Sequence, residues 1–128
     1  MEIKIEPGIT NLLEKTVLPS DSAQIYGSGA VDVFSTPAMI AFMEQTAHES
    51  IQKLLPEGYT TVGTEVNIKH LKATRIGKLV TCRSKLVAVD GWNLVFEVTA
   101  LDAKGEIGSG THSRFIVEEK RFIEKLNA

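Results

Sequence analysis

After Tyr59 the sequence consists of segments in which apolar and polar residues alternate, each followed by a turn signal. The segments are TVGTEVNIKHLKAT, KLVTCRSKLVAV, NLVFEVTAL and EIGSGTHSRFIVEE. A period of two is typical of strands that bury one face, and Asp90-Gly91 between the second and third segments is a strong hairpin signal. Because tight turns join successive strands, the pattern predicts an antiparallel meander.

One long helix precedes these strands. The stretch STPAMIAFMEQTAHESIQKLL, residues 35–55, has helical periodicity, and Pro56 and Gly58 supply stop signals. Pro37 suits the first helical position, which places Thr36 at the N-cap. A helix followed by a run of strands predicts an α+β domain in which a curved antiparallel sheet packs around the helix.

The remaining segments carry weaker patterns. Residues 2–9 and 12–19 are interpreted as short strands or extended connections, and residues 20–35, rich in Gly and Ser, as a loop with a short strand or turn. The pattern of residues 120–127 predicts a short basic helix. No linker, repeat or low-complexity tract divides the chain, so we expect residues 1–128 to form one domain.

Composition excludes several classes of function. The 128 residues carry a formal net charge of -2, which gives no global attraction to nucleic acid or to an anionic membrane. Cys82 is the only cysteine and the three histidines lie far apart, so we expect no disulfide framework and no metal site. No apolar run approaches the roughly 20 residues that span a bilayer, and the N-terminus lacks a signal-peptide pattern. We therefore expect a cytoplasmic protein.

A carboxylate interrupts the apolar side of the predicted helix. At 100° per residue, Ile40, Ala47 and Ile51 lie within about 60° of Glu44. An unpaired ionised carboxylate is costly in a dry interior. Glu44 must therefore find partners, take up a proton or border a water-filled cleft. The alternative is that the helix face turns slightly and Glu44 reaches solvent at its edge.

A histidine raises the same question on the first long strand. A period of two predicts that one face carries Val62, Thr64, Val66, Ile68 and His70. A lone histidine on an apolar face is most often a structural core residue, but a strand end is where it can reach an open pocket. Thr36 alone is explained by helix capping. Together, the hydroxyl of Thr36, the carboxylate of Glu44 and the imidazole of His70 could perform acyl-transfer or hydrolytic chemistry.

Three segments in this order and spacing resemble the hotdog-fold acyl-CoA thioesterases related to the fluoroacetyl-CoA thioesterase. They are STPAMIAFMEQTA, TTVGTEVNIKHLKATRIGK and EIGSGTHSRF, and the resemblance runs from about Phe34 to Val117. It implies a hotdog fold, with a long central helix wrapped by a curved antiparallel sheet. It also implies a homodimer that pairs sheet edges, with active sites at the subunit interface. The implied reaction is hydrolysis of a short- or medium-chain acyl-CoA to the free acid and coenzyme A, without a cofactor.

The resemblance also implies roles for individual residues. It assigns catalysis to Thr36, Glu44 and His70, and close approach to the substrate to Gly63. Phe34 is a further substrate-binding candidate, in the stretch IYGSGAVDVF ahead of Thr36. Because this stretch is shorter and poorer in aromatic residues than the lid of the fluoroacetyl-CoA enzyme, fluoroacetyl-CoA is not the physiological substrate we expect.

Basic residues gather after the first long strand. Lys69, Lys72, Arg75 and Lys78 could meet the phosphates of coenzyme A, or form an ordinary solvated turn. Lys72 and Arg75 are the substrate-binding candidates among them.

Two more histidines have weaker interpretations. His48 could contact Glu44 one helical turn away, or lie at the helix flank. For His112 we expect structural hydrogen bonding.

Two alternative functions remain open beside hydrolysis. The same fold supports a non-catalytic module that binds acyl-CoA or another small ligand, because a fold does not determine a function. A hydratase of this fold is less consistent with the sequence, because it requires a differently placed acid/base pair. The sequence leaves open the acyl group, the carrier (coenzyme A or acyl carrier protein) and whether an acyl-enzyme forms.

Overall fold

The structure, a computed structural model, describes residues 3–128, and five strands in this range form one antiparallel sheet. Its strands are β1 (Thr10–Thr16), β2 (Tyr59–His70), β3 (Leu79–Asp90), β4 (Asn93–Asp102) and β5 (Gly105–Glu118). The helices are a 3-10 turn (Pro19–Asp21), α1 (Ala23–Tyr26), α2 (Thr36–Gln52) and α3 (Glu119–Leu126). The prediction of an α+β domain with one long helix is confirmed.

Helix α2 lies against one face of this sheet, and the hydrophobic core forms between them. Seven α2 residues are buried: Ala38, Met39, Phe42, Met43, Thr46, Ala47 and Ile51. They pack against alternate residues of the central strands, including Leu86, Leu94 and Phe96, which are fully buried. Full burial of one such side chain contributes about 1.5–3 kcal/mol, so this contact holds α2 on the sheet.

The order of the strands corrects the predicted meander. The order is β1-β3-β4-β5-β2, so β3, β4 and β5 form a meander but β2 pairs with β5 instead of β3. Residues 71–78 join β2 to β3, and so carry the chain across the end of the sheet from the edge beside β5 to the position beside β1. Backbone hydrogen bonds hold this connection at Ile107, Phe34 and Val17 along the way. The prediction was wrong because this connection is a crossover held by distant residues, which local turn signals do not reveal.

The β2 residues that face α2 also differ from those predicted. A β-bulge interrupts the register with β5 between Gly63 and Glu65, and a bulge reverses which residues face the helix. Ahead of it Thr61 is buried and Gly63 faces α2, whereas beyond it Ile68 and His70 face inward. Val62 therefore does not share a face with His70, because a strict period of two fails at the inserted residue.

The remaining segments agree in part with the sequence. Residues 2–9 are interpreted as a short strand or an extended connection; Glu2 lies outside the described residues, and residues 3–9 form no strand. The strand predicted at 12–19 corresponds to β1, and the predicted C-terminal helix to α3. The predicted loop at 20–35 also contains the helical turn α1. Within residues 3–128, no helix has the length and apolar character to cross a membrane.

Candidate functional site

The N-terminus of α2 is capped by Ser35, not by Thr36. The Ser35 hydroxyl accepts a hydrogen bond from the Ala38 N–H at 3.1 Å, and the Ser35 carbonyl accepts one from the Met39 N–H at 2.9 Å. The predicted N-cap was off by one residue, because Ser and Thr are both good caps and Pro37 is tolerated at either of the first two helical positions. Ser35 thus leaves the Thr36 hydroxyl available for another partner.

That partner is His70. Thr36 Oγ1 and His70 Nδ1 are 2.8 Å apart, joining the start of α2 to the last residue of β2. Nε2 of the same ring is buried and makes no hydrogen bond with any residue in the described range 3–128. A buried nitrogen without a partner costs free energy that a bound ligand can recover. This ring is therefore placed to exchange a proton with a ligand.

Burial sets the charge of His70. Loss of hydration lowers the pKa of this imidazole below its ordinary value of 6.5, since burial disfavours the charged form. At neutral pH the ring is therefore uncharged and can accept a proton. If Nδ1–H donates to Thr36 Oγ1, the lone pair of Nε2 is free and the Thr36 O–H can itself donate to a ligand.

Glu44 lies further along α2, at the edge of the buried face. Ala47 and Ile51 are fully buried, but the Glu44 side chain is 41% exposed. In the single chain Glu44 thus reaches solvent at the edge of the apolar stripe, which is the second of the two alternatives raised by the sequence. Its nearest cation among residues 3–128 is Arg114, whose Nη1 is 3.9 Å from Glu44 Oε2, too long for a hydrogen bond.

Gly63 of β2 lies directly opposite this carboxylate. A β-carbon on Gly63 would be 2.9 Å from Glu44 Oε2 and 3.2 Å from Cε1 of His112. Glycine is needed here for close approach, because its φ is not in the left-handed region. The absence of a side chain at position 63 therefore makes room for the Glu44 carboxylate.

The network around Arg114 was not predicted from the sequence. Arg114 is 7% exposed, and its guanidinium donates to Thr61 Oγ1 from Nε at 2.7 Å and to the Thr61 carbonyl from Nη2 at 3.0 Å. Its Nη1 lies 3.1 Å from His112 Nε2. The signal was present: Arg114 follows His112 by two residues, which puts both on one face of β5.

This network determines the protonation of His112. Its Nδ1 lies 2.8 Å from the Glu65 carbonyl, an acceptor, so Nδ1 carries the hydrogen. Nε2 is then the acceptor for Arg114, and the ring is neutral. Burial lowers the pKa of His112, in agreement with a neutral ring. The expected structural role of His112 is consistent with these contacts, and its ring holds the guanidinium that faces Glu44.

The three predicted catalytic residues form two groups within one chain. Thr36 and His70 are in contact, whereas Glu44 lies with Gly63 and Arg114. Eight residues separate Thr36 from Glu44 on α2, a rise of about 12 Å along the helix axis. Both groups lie along the seam between α2 and β2.

The other candidates occupy different surroundings. Phe34 is 1% exposed and belongs to the core, below a cavity of about 270 Å³ that Thr36, His70 and Lys72 also line. Arg75 lines a second, larger cavity.

His48 makes no hydrogen bond or salt bridge with Glu44. Its Nδ1 is 3.4 Å from Thr61 Oγ1, and burial lowers its pKa. Within residues 3–128, no group of three or more His, Cys, Asp or Glu side chains could hold a metal ion.

Known proteins are similar to this chain in sequence and in fold. Residues 17–120 match the family model of the fluoroacetyl-CoA-specific thioesterase. The fluoroacetyl-CoA thioesterase of Streptantibioticus cattleyicolor is 35% identical over 95 residues, which are 74% of this chain and 68% of the relative.

Two solved structures show the same architecture. A fluoroacetyl-CoA thioesterase superposes with a TM-score of 0.90 at 28% identity, covering 97% of this chain and 96% of the other. A hot-dog-like protein from Thermanaerovibrio acidaminovorans superposes with a TM-score of 0.86 at 26% identity, covering 94% and 89% of the two chains. The predicted hotdog fold is confirmed. The chain belongs to the fluoroacetyl-CoA-specific thioesterase family.

Proposed function

We propose that this protein hydrolyses short-chain acyl-CoA thioesters in the cytoplasm, as a homodimer with its active sites at the subunit interface. The observation that carries the proposal is the contact between Thr36 and His70 at the N-terminus of α2, with the buried His70 Nε2 lacking a partner among residues 3–128. Family membership supports the reaction class, because the relatives are thioesterases. The adjoining cavity of about 270 Å³ is slightly below the usual range of ligand pockets, which suits a short acyl group.

The helix terminus supports stabilisation of a negative charge on the thioester oxygen. Ser35 already accepts from Ala38, and Pro37 has no N–H, so the Thr36 N–H is the backbone donor of the first turn without a partner in the described range. The Thr36 hydroxyl adds a second donor, and the positive end of the helix dipole favours the oxyanion.

The neutral imidazole of His70 supports proton transfer. Glu44 attacks the carbonyl carbon itself or removes a proton from the attacking water. The C–S bond then breaks and the thiolate departs. When Glu44 has activated water, the proton that it took passes through the neutral His70 to the thiolate. When Glu44 has attacked the carbon, His70 removes a proton from the water that hydrolyses the resulting anhydride and passes it to the thiolate, and the carboxylate is regenerated. Both routes yield the acid and the thiol.

Pairing of two copies along β2 would bring Glu44 into the active site. Strand β2 is at the edge of the sheet, and its exposed Val66 lies between Gly63 at one end and His70 at the other. Unpaired edges readily pair with another chain. Antiparallel pairing of two β2 strands about a twofold axis near Val66 brings His70 of each copy toward Glu44 of the other. The distance between Glu44 and Thr36 within one chain is thereby bridged by the second chain.

The test is release of free thiol from acyl-CoAs of graded length. We expect turnover for short acyl groups, and a loss of at least about 100-fold in kcat for Glu44→Gln and His70→Ala. Gln45→Ala, on the exposed side of the same helix turn, is the matched control and should retain wild-type turnover. Folding of each variant is checked by circular dichroism. Binding of acyl-CoA without thiol release by the wild-type protein, or full turnover by both site variants, would overturn the proposal.

A further inference from the structure

Beyond its bulge, β2 carries a polar row on the face of the sheet opposite α2. Ile68 and His70 face the helix, so the residues that alternate with them face the other way. These residues are Glu65, Asn67 and Lys69, and all three are exposed. The outer face of this edge strand therefore presents an acid, an amide and a base in that order.

The two charges of this row have no charged partner within one chain. On β5, Ser113 lies opposite Glu65 and Ser109 lies opposite Lys69. Glu65 and Lys69 are four residues apart on one strand, about 13 Å, so they are too distant to contact each other. Neither forms a salt bridge with any residue in the range 3–128. Both charges are therefore available to another chain.

The backbone of β2 limits how a second copy can pair with it. The carbonyl oxygens of Asn67 and Lys69 point toward β5, where they lie against its glycines. The N–H and C=O groups of Val66 and Ile68 therefore point away from the sheet, along its free edge. Two copies can hydrogen-bond antiparallel only where these outward groups meet, which requires a twofold axis at a residue and not between two residues.

One of these registers pairs the charges. With the twofold axis at Asn67, Glu65 of each copy lies directly opposite Lys69 of the other, and the residue on the axis is uncharged. On the inner face, the same register places the apolar Val66 opposite Ile68. An axis at Glu65 or Lys69 would place like charges opposite each other, and an axis at Val66 or Ile68 would leave both charges without a direct partner.

The register also determines how the two parts of the active site meet. With the axis at Asn67, His70 of one copy lies opposite Thr64 of the other copy, adjacent to the Gly63 that Glu44 faces. Moving the axis by one residue slides one strand along the other by two residues, about 7 Å. A misplacement of about 1 Å can already cost catalysis on the order of 100-fold. The correct register is therefore a requirement for a site shared by two chains.

We propose that Glu65 of each copy pairs with Lys69 of the other, and that these two equivalent ion pairs set the register in which two β2 strands meet. The inference rests on the proposed function for the homodimer and its shared active site. Glu65 and Lys69 are positioning residues, because they act on catalysis only through the placement of His70 against Glu44 of the other copy.

Charge reversal tests the register through catalysis. Glu65→Lys and Lys69→Glu each place like charges opposite each other when the axis is at Asn67. We expect each single variant to lose on the order of 10-fold in kcat with acetyl-CoA. The double variant, Glu65→Lys with Lys69→Glu, restores both contacts between opposite charges and should regain most of the wild-type kcat. If each side chain only supported its own strand, the second substitution would not rescue the first.

Co-expression of the single variants tests whether the contact lies between chains. A Glu65→Lys chain and a Lys69→Glu chain with different tags have opposite charges at both contacts, whereas each repels its own copy. Random pairing gives about half mixed dimers, and we expect a fraction well above half in native mass spectrometry. The control, Glu14→Lys with Arg83→Glu, makes the same charge changes at exposed positions near the other edge of the sheet, and should give about half.

The outcomes separate this inference from the proposed function. Single variants that keep wild-type kcat and form mixed dimers only at random overturn the inference, even if acyl-CoA is hydrolysed. A double variant no more active than the single ones also overturns it. So does a wild-type protein that sediments as a monomer, which would leave the edge of β2 to a different protein. Preferred mixed dimers in a protein that releases no thiol support the inference and overturn the proposed function.

Discussion

Gly63 lies so close to Glu44 that a β-carbon at position 63 would be 2.9 Å from the carboxylate oxygen Oε2. Real β-carbons do not approach an oxygen this closely, so any larger residue must displace the Glu44 side chain. The side chain is flexible and 41% exposed, so it can move without unfolding the protein. A larger residue at position 63 should therefore disturb the position of the Glu44 carboxylate without disturbing the fold, so the two possible reasons for glycine here, catalytic and structural, can be tested separately.

Gly63→Ala should therefore lower activity more than stability. We expect kcat to fall about 10- to 100-fold, because displacing a reacting group by about 1 Å costs up to that much. The midpoint of thermal unfolding should change little. Gly29→Ala is the matched control, since a β-carbon there meets only Ala23 at an ordinary 3.4 Å. Wild-type turnover by a folded Gly63→Ala protein would contradict a role for Glu44.

Ser35 and Thr36 are neighbours with different functions, which substitution should separate. Ser35→Ala removes the helix cap and should lower the free energy of unfolding by about 1 kcal/mol. Thr36→Val keeps the shape of the side chain but removes the hydroxyl that contacts His70, and should lower kcat about 100-fold with a smaller effect on stability. Thr36→Ser should restore most of the activity. The measurements are denaturant unfolding and thiol release, and a Thr36→Val protein as active as wild type would refute the assignment.

Mixed dimers test whether two chains share each site. Glu44→Gln and His70→Ala chains, each inactive alone, should regain activity when co-expressed with different tags. In a mixed dimer one site carries both substitutions and the other carries neither. Random pairing should restore about a quarter of wild-type activity. No recovery in purified mixed dimers would show that each site lies within one chain.

Arg114 should be needed for stability as well as for the position of Glu44. Arg114→Met leaves the buried Thr61 hydroxyl and His112 Nε2 without their donor. Each unpaired buried group costs about 1–3 kcal/mol, so we expect the free energy of unfolding to fall by about 2–4 kcal/mol. Arg83→Met, at an exposed position on β3, is the control and should change it by less than about 0.5 kcal/mol. Equal stability of the two variants in denaturant unfolding would contradict the importance of the network.

Stability should decrease below neutral pH. Burial lowers the pKa of His48, His70 and His112 below the ordinary value of 6.5. In the unfolded chain each remains near 6.5, so between the lowered pKa and 6.5 the unfolded state binds more protons. The stabilisation is present above 6.5 and is lost as the pH falls from 6.5 through the folded pKa values.

Denaturant unfolding between about pH 5 and 7.5, above the range in which most carboxylates titrate, measures this effect. The free energy of unfolding should decline toward the acid end of the range. His112→Asn, which removes one titrating group, should show a flatter decline. A free energy of unfolding independent of pH over this range would contradict the shifts.

The local pattern of the sequence was sufficient to predict the main helix and the long strands of the fold. Helix α2 and strands β2 to β5 follow from residue periodicity and from turn residues such as Asp90 and Gly91, which act over a few neighbours. The same periodicity placed Glu44 on the apolar side of α2 but left open whether it lies within that face or at its edge, which the tertiary structure decided. The roles given to Thr36, Glu44 and His70 came from resemblance, and they remain predictions.

Only the tertiary structure decided which distant residues meet. The pairing of β2 with β5 depends on a crossover held by backbone hydrogen bonds to Phe34 and Val17, and the facing of Gly63 depends on a bulge in that pairing. The contacts of Thr36 with His70 and of Arg114 with Glu44 follow from this arrangement. Periodicity specifies which side of a helix or strand is apolar. Which other element that side packs against depends on contacts between residues far apart in the chain, and local periodicity contains no information about them.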